Sequence, residues 1–526
     1  FVDTYTKWSG QATSPYTLYE QVVRAGEMAQ RVPKGPTYID IPIETMIHDW
    51  TEPVKLRKVP PAPKTQPAAE SIIQLAELLS NSRNPMIITD SAGRDPQGFV
   101  NLVALAELLA IPVTEATPDL PLKGVRVLDL TNVLAGPFCA MNLARLGAEV
   151  IRVEIPGRGD PVRGNGPFVG ADGWHDEPQN SNDLSTRFLK RAQGVKSVTL
   201  DLKHPQGKEM FLGLAKSCDV VLENLAPGSM RRLGLGYEEL SQANSGIVYA
   251  SISGYGQTGP YSAKPAHDPQ IQGMSGLMDI NGDADGPPTR VGFYIGDLVT
   301  PLFACYSILA ALREKDRTGQ GQYLDVSMMD TLVSLMFMEN LEENIEFGQP
   351  LRTGNISRNG PTGLYHASDG DLSLTVTSDD QWARLARALD APQFLDDPRF
   401  ESFVTRTANV EEARQQIQAI IGEFTLEEAL DRLESHDVPC AQVRTAEQVM
   451  NDQHFWDRGS LVPMRHAGLP EPVKGVASGF PVIFSGGPLP EMAGAPTLGM
   501  HNGEIFSKLL GLDESDLAGL KEIGVI

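Results

Sequence analysis

One carboxylate near the middle of the chain stands where a covalent nucleophile would be useful. The stretch from Gly254 to Pro260 is a glycine-rich turn, and Asp268 follows it within a few residues. Glycine lets the backbone approach a ligand closely, and backbone N–H groups stabilise the charge that develops in acyl transfer. A carboxylate placed there could attack an activated acyl carbon. The local sequence also fits a helix N-cap, because Asp268 precedes Pro269 and an apolar segment.

Length and charge limit the classes of protein to be considered. The chain has 526 residues, which is too long for one core and predicts two to four domains. A net charge of −23 argues against nucleic acid and anionic membrane surfaces as partners. No uninterrupted apolar run approaches the ~18 residues of a membrane span. The N-terminus does not resemble a signal peptide, and the sequence predicts a cytoplasmic protein.

The metal-binding residue types are scattered along the chain. The four cysteines lie far apart, with neither a CxxC pair nor a zinc spacing, and the histidines form no cluster. We therefore predict no metal site and interpret the cysteines as free thiols in a reducing compartment. The cysteines are Cys139, Cys218, Cys305 and Cys440.

From Leu122 onward the apolar pattern predicts an α/β fold. Val125–Leu130 and Glu149–Glu154 read as strands joined by a helix that begins near Ala135, which makes a parallel βαβ unit. Further strands are predicted at Ser197–Leu202, Val220–Glu223 and Ile247–Ile252. Such a Rossmann-like sheet binds ligands beyond the carboxyl ends of its strands. The GxGxxG fingerprint is absent after the first strand, which argues against a nicotinamide or flavin site.

The pattern divides the chain into four segments. Residues 119–345 form a large domain that ends in long helices predicted at 297–316 and 325–345. Residues 346–470 form a smaller α+β domain, with a short β-segment followed by helices at 380–389 and 408–435. Residues 471–526 return to the large domain. Residues 1–118 form a separate N-terminal α/β appendage, with helices predicted at 18–31, 69–80 and 97–110 and a proline-rich linker near 59–63.

The N-terminal appendage resembles part of a thiamine-diphosphate enzyme. Gly35–Pro42 is similar to the end of the pyrimidine-binding domain, and Asn84–Val113 is similar to the opening of the central domain. The Gly-Asp-Gly…Asn motif that holds magnesium and diphosphate in that family is missing. We therefore expect no thiamine diphosphate to bind. A docking or assembly role and a remnant of gene fusion both remain open.

Residues 121–526 resemble the class III CoA-transferases (the CaiB/BaiF type), which include formyl-CoA and carnitine CoA-transferases. The resemblance is carried by a series of ordered blocks rather than by one motif. The blocks are Val127–Thr131, Leu134–Pro137, Leu146–Glu154, Ser197–Lys203, Glu223–Gly228, Asp268 with Gln272–Gly276, Leu498–Asn502 and Gly524–Ile526.

This resemblance implies a mechanism and a site. In the family the residue matching Asp268 attacks an acyl thioester, which gives a mixed anhydride and then an aspartyl-CoA thioester. Coenzyme A is the co-substrate, an acyl-CoA and a small carboxylic acid are the substrates, and two ring-like chains interlock as a homodimer. Lys203 and Arg232 are the implied phosphate partners. The positions that match the family's CoA contacts are Leu134, Ala135, Leu200, Lys203, Asn224, Leu225, Arg232, Ser253 and Gly254.

Two other functions remain open from the sequence. The same fold includes α-methylacyl-CoA racemases, which pair this Asp with an upstream His, but the chain has no histidine between residues 205 and 266. For His267 we favour a loop residue over a catalytic base. A catalytically idle scaffold produced by fusion is the third possibility. The sequence does not identify the donor or the acceptor acid, although the stretch 358–363 has only two glycines, which argues against oxalate or formate.

Overall fold

The computed structural model describes residues 8–11, 37–40, 69–81, 87–89, 96–109, 113–115, 120–357, 360–485, 487 and 489–526. The chain forms two compact units, Phe1–Thr117 and Pro118–Ile526, and each is described by itself. The predicted helix over 18–31 and the proline-rich segment 59–63 lie outside the described residues. Residues 358 and 359, the first two of the stretch 358–363, also lie outside them.

The described residues of the first unit form short parallel strand pairs and two helices. Its described elements are Trp8–Gln11, Thr37–Asp40, Ala69–Asn81, Ile87–Thr89, Pro96–Leu109 and Val113–Glu115. Ile87–Thr89 and Val113–Glu115 pair in parallel across the helix between them, as expected for a βαβ unit. The helices predicted at 69–80 and 97–110 are present within one residue at each end. The resemblance of this unit to thiamine-diphosphate enzymes stays a prediction.

A six-stranded parallel sheet organises the second unit. Its strands, labelled in chain order, are β1 (Arg126–Asp129), β2 (Glu149–Glu154), β3 (Val195–Thr199), β4 (Val220–Glu223), β5 (Val248–Ser253) and β6 (Tyr323–Ser327). Their order across the sheet is β3-β2-β1-β4-β5-β6, and all neighbours are parallel. This is the doubly wound order, and its topological switch point lies between β1 and β4. The predicted Rossmann-like parallel sheet is confirmed.

Helices cover both faces of the sheet. Those used below are α1 (Ala135–Arg145), α2 (Thr186–Arg191), α3 (Pro205–Ala215), α4 (Asp268–Met274), α5 (Ile295–Thr318) and α6 (Met328–Met336). Alternate strand residues point to opposite faces, so Val127 packs with α1 and α5, whereas Leu128 packs with α3. Among the described helices, α5 alone is long and apolar enough to cross a membrane, although several of its side chains, such as Ile308, are buried in the first core.

A smaller α+β portion has its own core. The antiparallel strands Gly363–His366, Asp371–Leu374 and Cys440–Gln442 form a sheet with Asp371–Leu374 in the middle. Trp382, Phe394 and Phe400 lie at the centre of the associated helices. These helices are Asp379–Ala388, Gln393–Asp396, Phe403–Ala408, Val410–Ile421 and Leu426–Ser435.

The remaining elements of the second unit are short. Its other strands are Phe168–Gly170, Gly173–His175, Leu184–Ser185, Leu461–Met464 and Val473–Ser478. Its other helices are Pro161–Gly164 (a 3-10 helix), Ser229–Leu233, Tyr237–Ala243, Leu277–Ile280, Leu341–Glu346, Ala446–Asn451, Gln453–Asp457, Asn502–Leu510 and Glu514–Glu522. The last two pack on the second face of the sheet through Ile505, Phe506 and Leu517, so the C-terminal segment lies against α3 and β3.

Two predicted long helices are wrong. The span 325–345 begins as strand β6 and then forms two helices, because the Ser327 hydroxyl caps a new helix by accepting a hydrogen bond from the Asp330 N–H (3.1 Å). The span 408–435 is also divided. Thr425 and Glu428 form a capping box that starts the helix Leu426–Ser435 separately from Val410–Ile421.

A buried ion pair joins the last residue of β1 to the neighbouring strand β2. The Arg152 guanidinium donates through Nε to Asp129 Oδ2 at 2.8 Å, and neither side chain is exposed to solvent. Asp129 Oδ1 also accepts hydrogen bonds from the backbone N–H and the hydroxyl of Thr131. The pair therefore fixes the start of the turn that leads from β1 to α1.

We expect Asp129→Ala to destabilise the protein by about 3–5 kcal/mol, because Arg152 would keep a buried charge without its partner. Urea unfolding measures the change. Glu314→Ala is the matched control, since it removes an exposed ion pair with Arg317 that is worth at most ~1 kcal/mol. Equal unfolding midpoints for the two variants would show that the buried pair contributes no more than a surface pair.

Candidate active site

Asp268 is the first residue of helix α4 and is only 1% exposed. The N-cap is His267, whose backbone N–H donates to Gln270 Oε1 at 3.2 Å. The N-cap interpretation of Asp268 is therefore wrong. Because His267 holds the capping position, the Asp268 carboxylate is free to interact with another helix.

The Asp268 carboxylate lies at the N-terminus of α5. Its Oδ1 accepts hydrogen bonds from the backbone N–H groups of Gly296 (2.6 Å) and Asp297 (3.3 Å). The first N–H groups of a helix have no partner within the helix, and they carry its positive dipole end. A 24-residue helix thus stabilises the negative charge of one buried carboxylate.

The other carboxylate oxygen is held by a fixed amide. Gln272 Nε2 donates to Asp268 Oδ2 at 2.6 Å and to the Phe293 carbonyl at 3.4 Å. The oxygen of the same amide accepts from the Val291 N–H at 2.9 Å. These partners determine which end of the amide faces Asp268, and Gln272 itself is completely buried.

A second carboxylate lies beside the first. Burial, followed by the charge of Asp268, raises the pKa of Asp297 to about 6, although Arg191 and His267 act to lower it. The Asp297 carboxyl group therefore takes up a proton at a higher pH than an ordinary aspartate does. The sequence did not indicate a role in the site for Asp297, Gln272 or Gly296. Of these, only Gln272 could have been inferred from spacing, because residues four apart on a helix are neighbours and Gln272 lies four residues after Asp268.

The proposed CoA-contact residues follow the carboxyl ends of four strands of the sheet, three of them neighbours. Leu134 and Ala135 follow β1, Leu200 and Lys203 follow β3, Asn224 and Leu225 follow β4, and Ser253 and Gly254 end and follow β5. Arg232 lies on the short helix Ser229–Leu233, which extends the turn after β4. Eight of the nine therefore lie at the edge of the sheet where doubly wound folds bind ligands, and Arg232 lies one turn beyond it.

Two loops meet across the switch point. The Asn224 side chain accepts from the backbone N–H of Asn132 and donates to its carbonyl, both at 2.9 Å. Asn132 lies in the turn that leads to Leu134, so the turns after β1 and β4 are joined directly. The Ser253 hydroxyl is buried without a hydrogen-bond partner among the described residues, which leaves it available to a ligand.

The two cations predicted to bind phosphate are both exposed, as a binding role for a soluble ligand requires. The Lys203 backbone N–H donates to Asp201 Oδ1 at 2.9 Å, and its side chain forms no ion pair among the residues that the structure describes. Arg232 donates to the Ser229 hydroxyl at 2.9 Å and to the Pro227 carbonyl at 3.2 Å. Neither cation is paired with a carboxylate in the described part of the chain.

A polar network that the sequence did not indicate joins the glycine-rich turn to the turn after β4. Gln257 Nε2 donates to the Ser251 hydroxyl at 2.9 Å, and Gln257 Oε1 accepts from the Gly228 N–H at 3.3 Å. Ser251 in turn donates to Glu223, whose other oxygen accepts from the Leu225 N–H at 2.7 Å. Burial raises the pKa of Glu223 to about 7.

Gly254 brings the glycine-rich turn close to the nucleophile. A Cβ at this position would lie 2.2 Å from the Ala266 Cβ, so any side chain would displace the segment that enters α4. The Gly254 carbonyl also accepts from the Met329 N–H at 3.0 Å, which ties the turn to α6. The glycine therefore allows the end of β5 to pack directly against the segment before Asp268.

Fold and site together define a doubly wound α/β protein with two hydrogen-bonded turns at the switch point and a buried carboxylate held at a helix N-terminus. Residues 122–502 match the model of CoA-transferase family III, and the chain belongs to that family. It is an acyl-CoA:carboxylate CoA-transferase by class.

The chain matches two named CoA-transferases over most of their length. The chain is 36% identical to succinyl-CoA–D-citramalate CoA-transferase of Chloroflexus aurantiacus over 78% of this chain and 99% of the relative. It is 34% identical to succinyl-CoA:glutarate CoA-transferase of Mus musculus over 79% and 92% of the two chains. A CaiB/BaiF family protein from Brucella suis matches in structure with a TM-score of 0.65 and 30% identity, covering 74% of this chain and 100% of the neighbour.

We expect Gly296→Ala to lower CoA-transferase turnover by at least about tenfold. The new Cβ would lie 3.0 Å from Asp268 Oδ1 and 3.4 Å from the Met328 Cε, so the carboxylate would have to move. Steady-state kinetics measures the effect, and circular dichroism checks the fold. Gly292→Ala, at an exposed glycine with open space around it, is the control and should retain activity. Wild-type turnover in Gly296→Ala would show that the spacing between α5 and the carboxylate is unimportant.

Proposed function

We propose that the protein transfers coenzyme A from an acyl-CoA to a carboxylic acid with Asp268 as the covalent nucleophile. The observation that carries the proposal is the Asp268 carboxylate, buried and hydrogen-bonded to the N-terminus of α5. A free carboxylate in water is a weak nucleophile toward a thioester. Here burial removes competing water, and the fixed donors preserve the orientation of the carboxylate.

The reaction consists of four displacements at acyl carbons. An oxygen of Asp268 attacks the thioester carbon of the donor, the C–S bond breaks, and CoA leaves as a thiolate. The thiolate attacks the Asp268 carbonyl carbon of the resulting mixed anhydride, which releases the donor acid and forms aspartyl-CoA. The acceptor carboxylate then attacks aspartyl-CoA and expels the thiolate, which finally attacks the acceptor acyl carbon and releases the Asp268 carboxylate.

The two carboxylate oxygens have different surroundings, which suggests different roles. Oδ1 accepts two backbone hydrogen bonds at the N-terminus of α5, so it suits the carbonyl oxygen of the anhydride and of the thioester. When a thiolate or carboxylate attacks that carbonyl carbon, negative charge develops on Oδ1, where these donors already lie. Oδ2, held by the Gln272 amide, is then the oxygen that attacks the substrate.

The crevice between the turns after β1 and β4 is the proposed site of the CoA moiety. Lys203 and Arg232 supply positive charge for its phosphates in a chain whose net charge is −23. The relatives named above use succinyl-CoA with D-citramalate or glutarate. We therefore propose succinyl-CoA as donor and a small dicarboxylic acid as acceptor.

Replacing the nucleophile tests the mechanism. We expect Asp268→Asn to lower turnover by about three orders of magnitude or more, because an amide oxygen does not form the acyl intermediates. Asp285→Asn, at an exposed loop carboxylate, is the matched control and should behave like the wild type. Mass spectrometry of wild-type enzyme quenched during turnover should find CoA attached to Asp268.

Three outcomes would contradict this mechanism. Near-normal transfer by Asp268→Asn would exclude the covalent step. If the enzyme instead washed deuterium from D2O into the α-carbon of an acyl-CoA without an acceptor acid, the racemase alternative would replace it. Absence of both reactions in the wild-type chain would favour the idle scaffold.

We also propose a homodimer, as the family resemblance implies. The segment that follows α6 exposes large apolar side chains, with Phe337 61% and Met338 82% exposed. Leu302 and Tyr306 on α5 and Phe347 are also exposed. Apolar surface of this extent is usually covered by a partner in soluble proteins.

We expect the wild-type chain to sediment at twice its mass of 57.1 kDa at micromolar concentration. The double variant Phe337→Asp, Met338→Asp should shift the equilibrium toward the monomer, because two charges would be buried in the interface. Analytical ultracentrifugation measures both. A wild-type chain that sediments as a monomer would contradict the dimer, and an unaffected double variant would place the interface elsewhere.

A further inference from the structure

Arg191 lies at the boundary between the CoA crevice and the nucleophile. It is the last residue of α2, and its Nη1 donates to the Val133 carbonyl at 2.8 Å. Val133 directly precedes Leu134 and Ala135, the first of the proposed CoA-contact residues. The guanidinium therefore lies beside the turn over which the acyl-CoA would pass.

The Val133 turn is held in an unfavourable conformation. Val133 has φ of +70°, which β-branched residues rarely adopt, and its side chain is 44% exposed. Its N–H donates to the Asp160 carboxylate (3.2 Å to Oδ2), while its carbonyl accepts from Arg191. Strain of this kind is often found at ligand sites, where the surrounding contacts compensate for it.

Most N–H donors of the Arg191 side chain have no hydrogen-bond partner among the described residues. Among the described residues its side chain forms the hydrogen bond to Val133 and no ion pair, although a guanidinium carries five N–H groups. The side chain is half-buried, and this burial lowers its pKa from the ordinary value. Asp160 and Asp297 act on it electrostatically, yet neither carboxylate lies within 4 Å. A half-buried guanidinium without a bound carboxylate is well suited to accept one from a ligand.

Arg191 also acts on the carboxyl group beside the nucleophile. Arg191 and His267 both lower the pKa of Asp297, and the backbone N–H of Asp297 donates to Asp268 Oδ1. His267 is exposed and caps α4. Of these two side chains, Arg191 is the one that also donates a hydrogen bond to the turn leading to the proposed CoA-contact residues.

We propose that Arg191 binds the distal carboxylate of a dicarboxylic acyl group and thereby selects dicarboxylic acids and their CoA thioesters over monocarboxylic ones. The inference rests on the proposed function. A succinyl group reacts at one end with Asp268 while its second carboxylate, two methylene groups away, needs a cation in a dry site. Donor and acceptor acids react in turn at the same Asp268, so one arginine selects both.

Kinetics with two donors of equal chain length test the proposal. Succinyl-CoA and butyryl-CoA differ by a carboxylate in place of a methyl group. We expect Arg191→Gln to lower kcat/KM for succinyl-CoA by about 10- to 100-fold, the size of a lost charge-assisted hydrogen bond, and to leave butyryl-CoA nearly unchanged. Arg191→Lys, which keeps the charge without the planar fork, should lose less.

The control and a second measurement separate this role from a structural one. Arg187 lies one turn earlier on α2 and is exposed, so Arg187→Gln should change neither donor. If Arg191 merely holds the Val133 turn, Arg191→Gln should weaken binding of free CoA, measured by calorimetry, and should lower both kcat/KM values equally. That result would overturn the proposal, whereas unchanged CoA affinity with a selective loss of succinyl-CoA would support it.

Failure of the proposed function gives a different pattern. If the wild-type chain transferred CoA from neither donor, both ideas would fall. If the wild type formed aspartyl-CoA from either donor and Arg191→Gln showed no change in selectivity, only the role of Arg191 would fall. A wild type that turned over butyryl-CoA as well as succinyl-CoA would also exclude selection by this arginine.

Discussion

The proposed chemistry depends on one contact, the hydrogen bonds from the N-terminus of α5 to the Asp268 carboxylate. A buried carboxylate without partners would be strongly destabilised in its charged form. The unpaired N–H groups at the start of a helix need an acceptor for the same reason. Each group compensates the other, and Gly296 allows the approach because it has no side chain. The buried Asp129–Arg152 pair then fixes the turn from β1 toward the proposed CoA-contact residues.

The sheet was largely predictable because its strands are continuous apolar runs buried on both faces, as in β4 with Val220 to Leu222. Strand β6 was missed, since its residues alternate between exposed and partly buried and merge with the apolar helix α6. The same continuity made residues 325–345 resemble one long helix. Local sequence could not reveal that Ser327 ends the strand and caps a new helix, because the strand needs β5 as a partner.

The site was predictable only in part. The resemblance selected Asp268, whereas its local sequence suggested an N-cap, a role that belongs to His267. The partners of the carboxylate lie on another helix, and no sequence spacing specifies which N-terminus will approach it. Asp297 and Arg191 could not be identified from the sequence because their environment arises from packing. The Asp297 carboxyl group acquires a pKa of about 6, and the Arg191 guanidinium has a single hydrogen bond among the described residues.

The distances along the chain between interacting groups differ in a way that bears on how the protein assembles. Asp268 and Gly296 are 28 residues apart, whereas the Asn132–Asn224 contact joins residues 92 apart. Short loops close at lower entropic cost than long ones. The nucleophile and its helix can therefore form as a local unit during folding, and the contact between the turns after β1 and β4 forms only when the distant strands have paired.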